Sequence, residues 1–189
     1  MEKVKGYIDH IIYQNRENGY AVISFVEEKE ELICVGYFKN VEAGETLEIE
    51  GNYVEHPVYG LQMKAENFRV VPPDDIISME RYLSSGAIKG IGEALAKRIV
   101  KAFREDTFRI IEEEPERLSE IKGISERKAR EIADQMIEKR DMREAFVFLQ
   151  QYGISNTLAV KIYDRYGMGL YGIMKENPYR LAEDISGVG

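Results

Sequence analysis

The chain has 189 residues, 44% of them hydrophobic, with a formal net charge of -8 and a pI near 5.0. That is enough for a packed core in one large domain or two small ones. No apolar run of roughly 18 residues occurs and the N-terminal MEKVKGYIDH lacks the apolar core of a secretory signal, so a cytoplasmic protein with no membrane partner is expected.

A single cysteine, Cys34, excludes an internal disulfide and a Cys-rich zinc cluster. It sits in the apolar run LICVGYF, where a buried, inert thiol is expected. His10 and His56 are the only histidines, and no metal site is expected. The negative charge argues at face value against nucleic acid, whose phosphates are neutralised by Lys and Arg. The average hides a gradient: residues 1–73 carry 7 basic and 13 acidic side chains, residues 74–189 carry 19 and 21. Locally the balance reverses. Residues 84–104 hold Lys89, Lys97, Arg98, Lys101 and Arg104 against Glu93, and residues 122–130 hold Lys122, Arg127, Lys128 and Arg130 against Glu126.

From 4 to 71, short β-branched and aromatic runs alternate with polar turns: VKGYIDHIIY, YAVISFV, LICVGYF, TLEIEGNYV and LQMKAENFRVV. Five such strands predict a small antiparallel barrel, most simply OB-like, with an SH3-like barrel as the alternative. Gly36 and Gly51 fall inside strands, where a barrel needs bulges or sharp coiling. EEKEE at 27–31 reads as a solvated hairpin tip, and His56-Pro57 with Tyr59-Gly60 as a shaped turn. An OB surface binds single strands by stacking bases on aromatics. Tyr20, Phe25, Tyr37, Phe38, Tyr53 and Tyr59 are available, but most are expected to fill the core. The acidic balance favours a barrel that contacts another domain or protein.

Pro72 and Pro73 end the strand pattern, which places a domain boundary after residue 73. Beyond it the hydrophobic period is helical: DIISMERYLSS, EALAKRIVKAF, TFRIIEE, PERLSEI, a long run from Ser125 to about Tyr152, TLAVKIYDRY and LYGIMKEN. The expected fold is therefore α+β and multidomain, an OB-like barrel over 1–73 and an all-α region over 74–189.

The helical half repeats itself. A shift of 63 residues sets GIGEALAKRIVKAF (90–103) on GISNTLAVKIYDRY (153–166), and carries Pro115, Arg117 and Leu118 onto Pro178, Arg180 and Leu181. GISERKAREI (123–132) is a further copy at a shift of 33, and Gly187-Val188-Gly189 begins a fourth. These spacings define an array of one supersecondary unit: a short helix, a turn of form Gly-apolar-Gly/Ser, and a second helix. The first glycine supplies positive φ, the apolar residue plugs the two helices together, and Gly92, Ser125 and Ser155 are acceptable N-caps. Backbone N–H groups at the start of the second helix then face outward at a positive helix end, where a phosphate oxygen satisfies them.

These turns resemble the helix-hairpin-helix elements of repair and recombination proteins, which bind DNA without reading its sequence. The order of a barrel ending in GETLEIEGNYVEHPVYGLQMKAENFRVVPP and then tandem hairpins is similar to the N-terminal region of the RecD/TraA family of DNA helicases, in the RecD-like form that acts without RecB and RecC. The resemblance implies an accessory region of an ATP-driven, 5'-3' helicase of DNA repair and recombination. ATP and magnesium would serve the helicase core, since no G-x-x-x-x-G-K-[ST] loop occurs in these residues. The chain is therefore expected to be part of a longer protein, inactive alone, with no catalytic, cofactor or metal residues of its own.

Carried over turn by turn, the expected DNA contacts are Lys89, Gly90, Ile91, Gly92, Lys97 and Arg98 at the first hairpin, and Lys122, Gly123, Ile124, Ser125, Arg127 and Lys128 at the second. Gly153, Ser155 and Lys161 form a weaker third candidate, with Asn156 and Thr157 where a basic residue would help. The partners implied are DNA, single-stranded or forked and held by its backbone, the helicase core of the same chain, and replication or repair proteins. A helix pair needs a tight turn whether or not anything binds it, so the alternative is a protein-interaction scaffold whose hairpins serve packing only. A nuclease subunit ranks below both, lacking a clustered Asp/Glu motif.

Overall fold

The computed structural model describes residues 1–38 and 41–180, so the fourth turn at 187–189 lies outside the described residues. Strands β1 (Glu2–Gln14), β2 (Tyr20–Glu27), β3 (Glu30–Tyr37), β4 (Thr46–His56) and β5 (Gly60–Val71) form a closed barrel in the order β1-β2-β3-β5-β4. All neighbours are antiparallel except β3 and β5, which run parallel. β1 turns around the barrel through irregularities at Ile8/His10 and Ile11/Tyr13, and so pairs with both β2 and β4. Period-2 alternation points Ile8, Ile23, Phe25, Cys34, Ile49 and Met63 into one apolar core. Burial pushes the Cys34 thiol up to about 12, consistent with the inert cysteine expected.

Gly51 marks the irregularity in the β4–β5 pair, and a Cβ there would stand 2.0 Å from the Lys64 carbonyl oxygen. Gly36 instead allows close approach, because a Cβ would meet the Ala65 side chain at 3.0 Å across the β3–β5 pair. The EEKEE tip is a two-residue turn with positive φ at Glu28 and Lys29, between the paired Glu27 and Glu30. The aromatic expectation needs correction. Phe25 and Phe38 fill the core and Tyr20 is half-buried, but Tyr37, Tyr53 and Tyr59 are 67%, 42% and 73% exposed. Alternation sends Tyr37 outward, and Tyr53 and Tyr59 lie in the stretch 52–59, where every residue but His56 is exposed. His56 shapes that hairpin's tip, its Nδ1 accepting hydrogen bonds from the Val58 and Tyr59 amides at 3.1 and 3.2 Å.

The helices follow: α1 (Ile76–Ser84), α2 (Glu93–Phe103), α3 (Thr107–Glu113), α4 (Glu126–Gln150), α5 (Asn156–Tyr166) and α6 (Leu170–Glu176). Asp75 caps α1 by accepting from the Ser78 amide at 2.8 Å. The Arg81 guanidinium ties α1 to the barrel by donating to the Asp9 carbonyl, and Lys5 pairs with Asp74 at 2.7 Å. PERLSE at 115–120 is 3-10 rather than α, with proline at its first residue. No helix among the described residues is long and apolar enough to cross a membrane.

The chain divides into two compact units between Glu138 and Lys139, inside α4. Apolar faces of α1 to α3, the 3-10 segment 115–120 and the first part of α4 meet in one core, including Leu83, Leu95, Ile99, Ile111, Leu118 and Ile132. The second unit has its own core around Ala145, Leu149, Ala159, Ile162 and Leu170. The 63-residue repeat is written into the elements: α2 recurs as α5, α3 as α6, and the 3-10 turn at 104–106 as that at 167–169. Even the backbone torsions at the repeat joint match, with φ 52 and ψ -133 at Arg104 and φ 56 and ψ -138 at Gly167.

Those torsions belong to a region that side chains other than glycine enter at a cost of about 1–3 kcal/mol. Arg104→Gly, which installs the residue of the second copy, should raise the urea midpoint by the equivalent of about 1 kcal/mol, followed by far-UV circular dichroism. Gly51→Ala should do the opposite to the barrel by about 1–3 kcal/mol, read as earlier alkylation of Cys34 along a urea series.

Candidate nucleic-acid interface

The three described turns share one backbone design. Gly90, Gly123 and Gly153 take φ of 95°, 99° and 74°, which glycine adopts without the Cβ penalty. At the third turn the geometry is a complete helix stop: the Ile154 amide donates to the Leu149 carbonyl at 3.3 Å and the Gly153 amide to the Gln150 carbonyl at 3.0 Å. The element before each turn is not always a short helix. Residues 85–90 are turns, 115–120 are 3-10, and only the third hairpin is entered from an α-helix.

The apolar plugs behave as their position demands. Ile91 and Ile124 are each 5% exposed and join the same core as Ala96, Ile99, Ala129 and Ile132. Ile154 is half-buried against the core of the second unit. The caps divide. Ser125 accepts from the Lys128 amide at 3.1 Å and Ser155 from the Leu158 amide at 3.4 Å. Gly92 has no side chain to offer, so the exposed start of α2 has no side-chain cap. Of the three helix starts, that of α2 has the fewest protein acceptors and is the most open to an external anion.

The structure brings the first two turns together. Gln135 of α4 grips the backbone of Lys89, accepting from its amide at 2.8 Å and donating to its carbonyl at 3.1 Å. Arg98 of α2 donates to the Lys122 carbonyl at 2.7 Å, immediately before Gly123. Lys89, Lys97, Arg98, Lys122 and Arg127 are exposed and Lys128 is half-buried. Arg127 pairs with Glu131 one turn along α4 at 3.2 Å, an exposed pair of the kind worth about 0.3–0.5 kcal/mol. Gln135 is not legible as a site residue from sequence: it lies 46 positions from Lys89, and only the packing of α4 brings the two together. Gly153, Ser155 and Lys161 are exposed in the second unit.

This surface combines positive-φ glycines, exposed helix starts and cations from two hairpins, the arrangement of a tandem helix-hairpin-helix protein. Family models agree with that class and narrow it. Residues 1–73 match the OB-fold domain of the ATP-dependent DNA helicase YrrC, residues 80–136 a SAM-like helix-hairpin-helix tandem, and residues 138–189 the helix-hairpin-helix domain of the ATP-dependent RecD2 DNA helicase. The chain is also 22% identical over 196 aligned residues to the ATP-dependent RecD2 DNA helicase of Deinococcus radiodurans, across 99% of this chain and 27% of that protein. Together these matches give the chain the OB and helix-hairpin-helix domains of the N-terminal region of a RecD-like DNA helicase. The chain spans about a quarter of the length of the curated relative it matches.

If the plug and the cap hold the second turn as described, Ile124→Ala should cost about 2–5 kcal/mol and Ser125→Ala about 1 kcal/mol, measured by urea denaturation. Near-equal effects of the two substitutions would contradict the packing role of Ile124.

Proposed function

We propose that this region is the accessory DNA-binding part of its helicase and holds the phosphate backbone, without reading sequence, at the first two hairpin turns. One observation carries the reading: the turns at Gly90–Gly92 and Gly123–Ser125 are tied together by Arg98 and Gln135, and Lys89 and Lys122, which precede their first glycines, and Lys97 on α2 are exposed. Two outward helix starts with several cations suit two phosphates of a DNA chain better than a small anion. The side chains of Ile91 and Ile124 serve by packing, while their turns supply the backbone amides. Gly153, Ser155 and Lys161 are proposed as a lesser contact, since Lys161 is their nearest cation in sequence.

The further assignments belong to the same proposal. The longer protein is an ATP- and magnesium-dependent helicase moving 5'-3' in cytoplasmic DNA repair and recombination, and single-stranded or forked DNA is the ligand. Hydrolysis belongs to its core domains, since these 189 residues contain no phosphate loop of the G-x-x-x-x-G-K-[ST] form. A second reading has an observation of its own. Val58, Tyr59 and Leu61 are 76%, 73% and 59% exposed at the β4–β5 hairpin of an acidic barrel, which favours docking on the helicase core or on a replication or repair protein.

Titration of fluorescent single-stranded and forked DNA at low and moderate salt separates the readings. Lys89→Glu with Lys97→Glu should weaken binding on the order of tenfold or more for unrelated sequences, and should lower the salt slope by roughly 0.9 for each phosphate no longer neutralised. An unchanged slope would make the first turn a packing corner. No binding even at low salt would leave the docking role as the function of the region.

A further inference from the structure

Sequence proximity assigns Lys97 and Arg98 to the turn that opens their own helix, and Arg127 and Lys128 to theirs. The Arg98 and Lys128 side chains are placed otherwise. A Cβ added to Gly90 would stand 3.4 Å from Lys128 Cε, so the end of the Lys128 side chain lies over the first turn. A Cβ added to Gly123 would stand 3.4 Å from Arg98 Nη1, the same nitrogen that donates to the Lys122 carbonyl. We infer that the two turns exchange cations: Lys128 of the second hairpin serves an anion at Gly90–Gly92, and Arg98 of the first hairpin serves one at Gly123–Ser125. The inference deepens the DNA-binding reading and rests on it for the nature of the natural ligand.

Three features support the exchange. Lys128 and Gln135 stand seven residues apart on α4, two helical turns, and therefore on one face. Gln135 fixes that face to the first turn through both backbone groups of Lys89, so the Lys128 stem is delivered to Gly90 at a set distance. In the other direction Arg98 is held at the second turn by its own hydrogen bond, which pre-orients a planar guanidinium before any ligand arrives. The small size of glycine also matters at both places: 3.4 Å is an ordinary van der Waals distance to a Cβ, so longer side chains at 90 or 123 would occupy the space the cations use. The two turns become halves of one composite anion site. Gln135 is its positioning residue, since it shapes the first turn without being placed at the anion.

The test uses the 189-residue chain, inorganic phosphate as the probe and residue-resolved amide shifts as the readout. Lys128→Met keeps the apolar stem and removes the charge; it should weaken the phosphate response of the Gly90–Gly92 amides by roughly tenfold and spare Gly123–Ser125. Arg98→Met should give the reverse pattern. Gln135→Leu leaves both cations in place and should weaken the first turn alone, with barrel amide shifts unchanged. Losses confined to the turn of the mutated residue's own hairpin, or wild-type turns that do not respond to phosphate, would overturn the exchange. DNA titration keeps the two levels apart. If DNA binds with the expected salt slope while the phosphate losses are uncrossed, the assignment of cations fails and the DNA reading stands. If phosphate losses are crossed and DNA does not bind, the exchange stands and the DNA reading fails.

Discussion

The amide of Gln135 against the backbone of Lys89, with the Arg98 guanidinium on the Lys122 carbonyl, is the constraint on which the hairpin surface depends. A tight turn left to itself is mobile and presents its amides in many orientations. Here each of the first two turns is tied by a side chain from the other hairpin, over 46 and 24 residues of sequence. Hydrogen bonds of this kind contribute only about 1 kcal/mol each to stability. Their larger effect is geometric, because ligand binding then meets a surface whose conformational entropy has been reduced during folding.

Underneath lies a core that the repeat explains. Ile91 and Ile124 occupy equivalent places, as do Ala96 with Ala129 and Ile99 with Ile132, and all six are buried in one cluster. Alanines and isoleucines of both second helices fill that cluster together. The same pattern, with Ala159 and Ile162, builds the core of the second unit. Packing therefore preserves the unit in every described copy. Exposed positions are under no such constraint. The first two turns carry cations, while the third has Asn156 and Thr157 at the start of its second helix.

The barrel strands are legible because alternation in a small barrel has few solutions, and the hairpins because a positive-φ glycine leaves a spaced mark in the sequence. Gly90, Gly123 and Gly153 all adopt that conformation. The long helix expected from Ser125 to about Tyr152 is α4, Glu126–Gln150. Sequence does not carry anything that depends on the angle between elements. Arg98 and Lys128 are adjacent in sequence to one turn and in space to the other, and Gln135 carries no motif at all. The exposed tyrosines of the barrel escape a reading by composition for a related reason: composition counts rings, but the interior of a small barrel accommodates few, here Phe25 and Phe38.

The charge distribution then has a physical meaning that the net value conceals. A chain of net charge -8 repels polyanions at long range, but screening confines that repulsion to roughly 8 Å at physiological ionic strength. Within that distance the first turn presents Lys89, the end of Lys128 and an uncapped helix start rather than the acidic barrel average. Glu93 and Glu126 stand in the first turns of α2 and α4, where they favour the helix dipole and oppose a bound phosphate. On the DNA-binding reading proposed above, such a surface would hold a phosphate backbone through short-range contacts while long-range attraction stays weak. Weak long-range attraction would also let each phosphate leave quickly, whereas a strongly basic surface would release it slowly.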